Sequence, residues 1–156
     1  MTRAKMVTLR DARRDEVPLI IAMLADDALG GTRDQVVDPL PSAYYEAFDA
    51  IAASRDNHLL IAELDGEVVG TLQVTFIPGL SKVGATKMLI EAVRVVSPRR
   101  GTGIGREIVA AAVALARTRH CKSVELTSHR TRTDAHRFYA RLGFVASHVG
   151  MKLALD

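Results

Sequence analysis

In RRGTGIG, Arg99 to Gly105, three glycines stand at alternate positions behind two arginines and ahead of the apolar-patterned run REIVAAAVALAR. Glycine, having no side chain, lets another molecule come close to the main chain. A helix that begins there directs its free N–H groups and the positive end of its dipole outward. Glycine turn and helix start together make an anion site, and Arg100 can add a charge-assisted contact to the same anion. No comparable device stands elsewhere. The histidines His120, His129, His136 and His148 have no metal-ligand spacing, and the single cysteine, Cys121, reads as a small apolar residue at a strand edge rather than a nucleophile.

Three phosphate-binding patterns compete for the loop. The nucleoside-triphosphate loop needs Lys-Ser or Lys-Thr after its last glycine, and none follows here. The dinucleotide fingerprint needs a glycine at its sixth position, where the chain has Arg106 counting from Gly101 and Ile108 counting from Gly103. The third pattern, R/Q-x-x-G-x-G/A, is met by Arg100, Gly103 and Gly105.

The elements that must position this loop follow from hydrophobic spacing. A strand is expected over Met6 to Leu9, then a helix from Asp15 with Val17, Ile20, Ile21 and Leu24 on one face and Pro18 in its first turn. A second helix is expected over Ala43 to Ala53. Strands over His58 to Leu64 and Val68 to Ile77 flank the tight turn Asp65-Gly66, and a further strand runs from Met88 to Val96. Ile104, Ile108, Val109, Ala112, Val113 and Ala116 give the helix after the loop its stripe, ending near His120. Lys122 to Thr127 reads as a strand. Thr131 and Asp134 have the spacing of a capping box before a helix carrying Ala135, Phe138, Tyr139 and Leu142, terminated by Gly143. A last strand is expected within His148 to Leu155. The order β-α-α-β-β-β-α-β-α-β is that of a mixed α+β domain.

At 156 residues the chain suits one domain, residues 1–156, able to remove roughly 70% of its unfolded surface from water. With 48% hydrophobic and 25% charged residues and no biased tract, a disordered chain is excluded. No apolar run approaches the ~20 residues that span a bilayer, and MTRAKMVTLRDARRDE lacks the apolar centre of a signal peptide, so the expected setting is cytoplasmic with no membrane partner. The net charge of +3 is mild and has no nucleic-acid reading motif beside it; a patch for an anionic small molecule explains it as well.

Two further motifs flank the loop. Before it stands Glu91-Ala92-Val93-Arg94-Val95, of the form E-x-V-x-V; after it stands AHRFYARLGF, in which Ala135, Phe138, Tyr139, Gly143 and Phe144 match A-x-x-F-Y-x-x-x-G-F. With the loop between them, the chain resembles the GNAT family of N-acetyltransferases over essentially its whole length. The resemblance implies that family's fold: a central, mostly antiparallel sheet with a splayed parallel strand pair and helices on both faces. It implies acetyl-coenzyme A as cosubstrate and no metal. It implies that Arg100, Gly101, Thr102, Gly103, Gly105 and Arg106 hold the pyrophosphate and that the main chain of Val93 and Val95 holds the pantetheine arm. Arg132 stands where the family often has Asn, which replaces a pantetheine contact with a guanidinium contact to phosphate.

The same resemblance makes Tyr139 the general acid for the departing thiolate and Glu91 the general base that accepts a proton from the amine, against the plainer readings of a core aromatic and an exposed strand carboxylate. The acceptor is a primary amine of a small molecule or peptide. Two hints about it disagree. Asp26, Asp27, Asp34 and Asp38 read first as solvated loop carboxylates and second as an attraction for a cationic amine, whereas the ending from DAHRFYARLGF to SHVGMKLAL is similar to aminoalkylphosphonate acetyltransferases, which want positive charge near the acceptor. The rival readings are a regulatory module that binds acetyl-coenzyme A without chemistry, and a basic DNA-binding regulator. Homodimers are common among proteins of this kind.

Overall fold

A computed structural model describes residues 6–156; the first five residues of the stretch read for a signal peptide lie outside it. Five strands, β1 (Thr8–Asp11), β2 (Asn57–Leu64), β3 (Glu67–Pro78), β4 (Thr86–Val95) and β5 (Ser123–Leu126), lie in that order across one sheet. β1 to β4 pair antiparallel, and β5 runs parallel to β4. The helices are α1 (Val17–Ala25), α2 (Ser42–Ala53), α3, a single four-residue turn (Ser81–Gly84), α4 (Ile104–Thr118) and α5 (Thr133–Arg141). The expected mixed α+β class holds.

Alternation along β2 assigns the helices to two faces. Ile61 joins Ile20 and Met23 of α1, and Leu59 packs against the cluster of Val17, Ile21 and Phe48 that joins α1 to α2. Leu60 points the other way, into a cleft it shares with Phe76 of β3 and Ala111 and Leu115 of α4. α4 presents Ile104, Ile108, Val109, Ala112 and Ala116 as one buried stripe. Burying its three largest side chains contributes about 5–9 kcal/mol at most, more than helix propensity supplies, so packing holds α4 against the sheet. Between β2 and β3, Asp65 and Gly66 both have positive φ, 52° and 81°, as the right-handed twist of a two-residue hairpin requires.

A buried carboxylate braces the start of the chain. Glu16, 7% exposed, receives Arg10 at 2.6 and 2.9 Å and the Arg13 backbone N–H at 2.8 Å, while Arg10 also donates to Glu63 on β2 at 2.9 Å.

The described residues form two compact units, one running to Glu125 and one from Leu126 to Asp156. The first holds every buried residue. In the second, two expectations fail. The strand expected within His148 to Leu155 is absent: the segment has no regular structure, and Val149, Met151, Leu153 and Leu155 are 85–94% exposed. Their period-2 pattern is a strand signal, but a strand forms only against a partner edge, and no described segment ladders with this one. The capping box also does not form. Arg132, not Thr131, is the N-cap of α5, with no side-chain cap. The Thr131 hydroxyl instead meets His129 Nδ1 at 2.7 Å, and Asp134 pairs with Arg137 one turn on.

Candidate functional site

The glycine loop takes the form its composition called for. Gly101 and Gly103 have φ of +73° and +89°, which L side chains rarely adopt, and a Cβ at either would meet no atom within 4 Å. The glycines are needed for backbone direction and leave open space above the main chain. Gly103 is the N-cap of α4, so the N–H groups of Ile104, Gly105 and Arg106 open the helix without intrahelical acceptors. Thr102 donates its hydroxyl to the Arg99 carbonyl at 2.5 Å, bracing the turn from within. Arg106 is exposed on the first turn of the helix. Amides, dipole and guanidinium groups around an open surface are an arrangement able to hold an anion.

β4 enters this loop through a defect. Thr71 pairs with Arg94 and Gln73 with Glu91, so Ala92 and Val93 together stand opposite the single residue Leu72. This is a β-bulge, and Ala92 carries it at φ 52°. The bulge was not legible in E-x-V-x-V, because nothing in Ala92 advertises a left-handed residue. Past the bulge, Val96 N–H donates to Val69 of β3 at 3.0 Å, so by alternation Val95 turns its N–H and carbonyl to the opposite edge. Arginines meet the carbonyls there: Arg94 Nη1 donates to Val93 at 3.0 Å and Arg100 Nε to Val95 at 3.2 Å. Lys122 N–H donates to the Thr86 carbonyl at 2.8 Å, so β5 enters beside the first residues of β4.

Two aspartates tie the end of α1 to the same edge. Arg100 Nη2 donates to both the carbonyl and Oδ2 of Asp26, each at 2.9 Å, and Arg94 Nη2 lies 3.1 Å from Asp27 Oδ2. Asp27 also accepts from the Gly30 backbone N–H. The sequence read Asp26 and Asp27 as solvated loop carboxylates, with an acceptor pocket as the second reading; their charges are matched by arginines. Asp34 accepts from the Tyr44 hydroxyl at 3.1 Å.

Glu91 lies on β4 immediately before the bulge, exposed, and its carboxylate makes no hydrogen bond or ion pair among the described residues. Gly70 was missed by sequence reasoning. A Cβ on it would strike the Arg94 carbonyl oxygen and lie 2.6 Å from Ile108 Cδ1, so this glycine admits α4 against the bulged end of β4.

In the second unit, Tyr139 is half-buried on α5 between Phe138 and Phe144, edge to face with ring centroids at 5.0 and 5.6 Å. Gly143, at φ +94°, ends the helix and turns Phe144 back, so that its N–H donates to the Tyr139 carbonyl at 3.1 Å. AHRFYARLGF thus packs its aromatics around the tyrosine ring. Arg132 is half-buried at the N-cap. His129 is engaged locally, its carbonyl accepting from His136 Nε2 at 3.0 Å.

Cys121 is half-buried after α4, and burial pushes its thiol pKa up, away from nucleophilic character. Among the described residues no three His, Cys, Asp or Glu side chains gather to hold a metal ion, and no helix is long and apolar enough to cross a membrane.

Comparison with known proteins places this geometry. Residues 22–144 match the model of the acetyltransferase (GNAT) family. The chain is 34% identical over 113 residues to an aminoalkylphosphonate N-acetyltransferase from Salmonella typhimurium, covering 72% of this chain and 73% of that one. Among solved structures it is similar to a transcriptional regulator from Bacillus halodurans, with a TM-score of 0.90, 43% identity and coverage of 96% and 99% of the two chains. A glucosamine-6-phosphate N-acetyltransferase from Arabidopsis thaliana shares the fold, with a TM-score of 0.73 at 18% identity and coverage of 97% and 100%.

Proposed function

The chain belongs to the GNAT family of acetyltransferases, and on that premise we propose that it transfers the acetyl group of acetyl-coenzyme A to a primary amine of a small molecule or peptide, by direct attack in a ternary complex. The observation that carries this reading is the bulge at Ala92 and Val93, on the stretch of β4 that leads into the glycine turn at the start of α4.

Acetyl-coenzyme A supplies an acetyl group already activated as a thioester. The N–H groups at the start of α4, with Gly101, Thr102, Gly103 and Gly105 shaping the turn and Arg100 and Arg106 supplying charge, bind its pyrophosphate. Arg132 adds a guanidinium for phosphate. The main-chain amides of Val93 and Val95 align the pantetheine arm, and the Val93 N–H, beside the bulge, polarises the thioester carbonyl. An alkylamine with a pKa of roughly 10 is mostly protonated at neutral pH, so Glu91, exposed and unengaged, takes its proton directly or through water. The carbon–nitrogen bond forms as the carbon–sulfur bond breaks; Tyr139 gives its hydroxyl proton to the departing sulfur, and the second proton lost by the nitrogen restores that hydroxyl through water. No cysteine intermediate is needed. The reaction belongs to a single domain spanning residues 1–156 in a cytoplasmic protein.

The acceptor hints no longer balance. Asp26 and Asp27 are neutralised by Arg100 and Arg94, which removes the main attraction for a polyamine. The Salmonella relative is named for an aminoalkylphosphonate, so amines of that class head the test. The experiment is a screen of aminoalkylphosphonates, polyamines, aminoglycosides, amino acids and peptide N-termini for acetyl-coenzyme A-dependent thiol release. Release stimulated by an amine supports the enzyme.

A second reading draws on the Bacillus halodurans relative, which is named a transcriptional regulator. A regulatory module on this fold binds acetyl-coenzyme A and acetylates no amine in the screen. If it acts on DNA, binding to duplex falls steeply with salt.

A further inference from the structure

Resting on the acetyl-coenzyme A reading above, we propose that Asp26 is an internal competitor of the cofactor's pyrophosphate: it occupies Arg100 in the cofactor-free protein, and donor binding displaces it and releases the end of α1.

Arg100 is already held by the fold, as is its neighbour Arg99, whose Nη2 donates to Glu67 at 2.7 Å. The Arg100 Nε is spent on the Val95 carbonyl, and its Nη2 lies between the Asp26 carbonyl and carboxylate. A pyrophosphate seated on the α4 amides needs that same guanidinium face. Magnitudes decide which contact yields. The Arg100 and Asp26 side chains are 45% and 55% exposed, and an ion pair in that setting is worth about 0.2–1 kcal/mol. The incoming anion carries two charges and meets the helix amides and dipole as well. It wins the guanidinium.

The neighbouring pair behaves differently. Arg94 and Asp27 are only 12% and 20% exposed, and Asp27 is further fixed by the Gly30 N–H, so this pair persists as the pivot. Asp26, the residue that caps α1, is then freed while Asp27 stays attached. The donor site is thereby coupled to the segment that leads from α1 to α2.

The test is calorimetric binding of coenzyme A and of pantetheine, which lacks the pyrophosphate, to the full chain. Asp26→Asn is expected to lower the coenzyme A Kd by about two- to fivefold, the range of one exposed ion pair. Pantetheine affinity stays unchanged, and in an Arg100→Gln background the Asp26→Asn effect on coenzyme A disappears. Unchanged or weaker coenzyme A binding by Asp26→Asn overturns the proposal, as does an equal gain for pantetheine or persistence of the gain without Arg100. Wild-type protein that binds no coenzyme A overturns the underlying donor reading instead, so the two failures are distinguishable.

Discussion

Gly70 and Ile108 meet where β3 passes under α4: a Cβ on the glycine would lie 2.6 Å from Ile108 Cδ1 and would also strike the Arg94 carbonyl oxygen on β4. The backbone oxygen cannot yield as a flexible side chain would, and Ile108 is fully buried. Gly70→Ala is therefore expected to cost about 3 kcal/mol, the upper end for overpacking a core. Thermal melts should show a fall in Tm of roughly 6–12 °C for a chain of this length. A fall under 2 °C would mean that α4 is free to move away from the sheet.

Ala92 bears the bulge in the left-handed region, a placement that costs a non-glycine residue about 1–2 kcal/mol. Its side chain is exposed, so no packing is lost on removing it. Ala92→Gly should stabilise the fold by about 0.5–1 kcal/mol after the glycine entropy cost, and leave acetyl transfer within twofold of wild type. Denaturant titration beside steady-state turnover reads both. Ala92→Val should instead lower both stability and turnover, because a β-branched residue resists positive φ.

The Glu16 carboxyl is drawn from its usual 4.5 to about 2, first by the Arg10 side-chain hydrogen bond and then by the Arg13 backbone N–H, against the opposing effect of burial. The unfolded chain binds the proton first as pH falls, so this contribution is complete above about pH 4.5 and is lost as pH drops through about 2. Urea midpoints should decline across that window. Glu16→Gln should remove that part of the decline while costing about 3 kcal/mol at pH 7, since it leaves the Arg10 guanidinium short of a partner.

Glu91→Gln and Tyr139→Phe separate base from acid. Each should lower kcat by about 10²- to 10⁴-fold, with coenzyme A affinity unchanged, because neither side chain belongs to the pyrophosphate cradle. Glu91→Gln should also erase the acidic limb of the rate–pH profile, and Tyr139→Phe the basic limb. A profile untouched by Glu91→Gln removes the base; full turnover by Tyr139→Phe removes the acid.

The sequence by itself determined most of the elements and the glycine turn before α4, because these are local. Helical spacing marked α1, α2 and α4, the Asp65-Gly66 pair marked the β2–β3 turn, and the glycines of the loop marked a turn ahead of a helix. Family membership was legible from E-x-V-x-V, the loop and AHRFYARLGF read together. Tertiary structure alone decided the register of β4 against β3, and with it the bulge at Ala92 and Val93, since an extra residue in one strand shows only when its partner is counted beside it. It decided that Asp26 and Asp27 answer Arg100 and Arg94, residues far apart along the chain. It also decided against a strand at Val149 to Leu155, where the alternation is correct and no described segment pairs with it. Periodicity is a property of one segment, whereas pairing, charge matching and close approach belong to two.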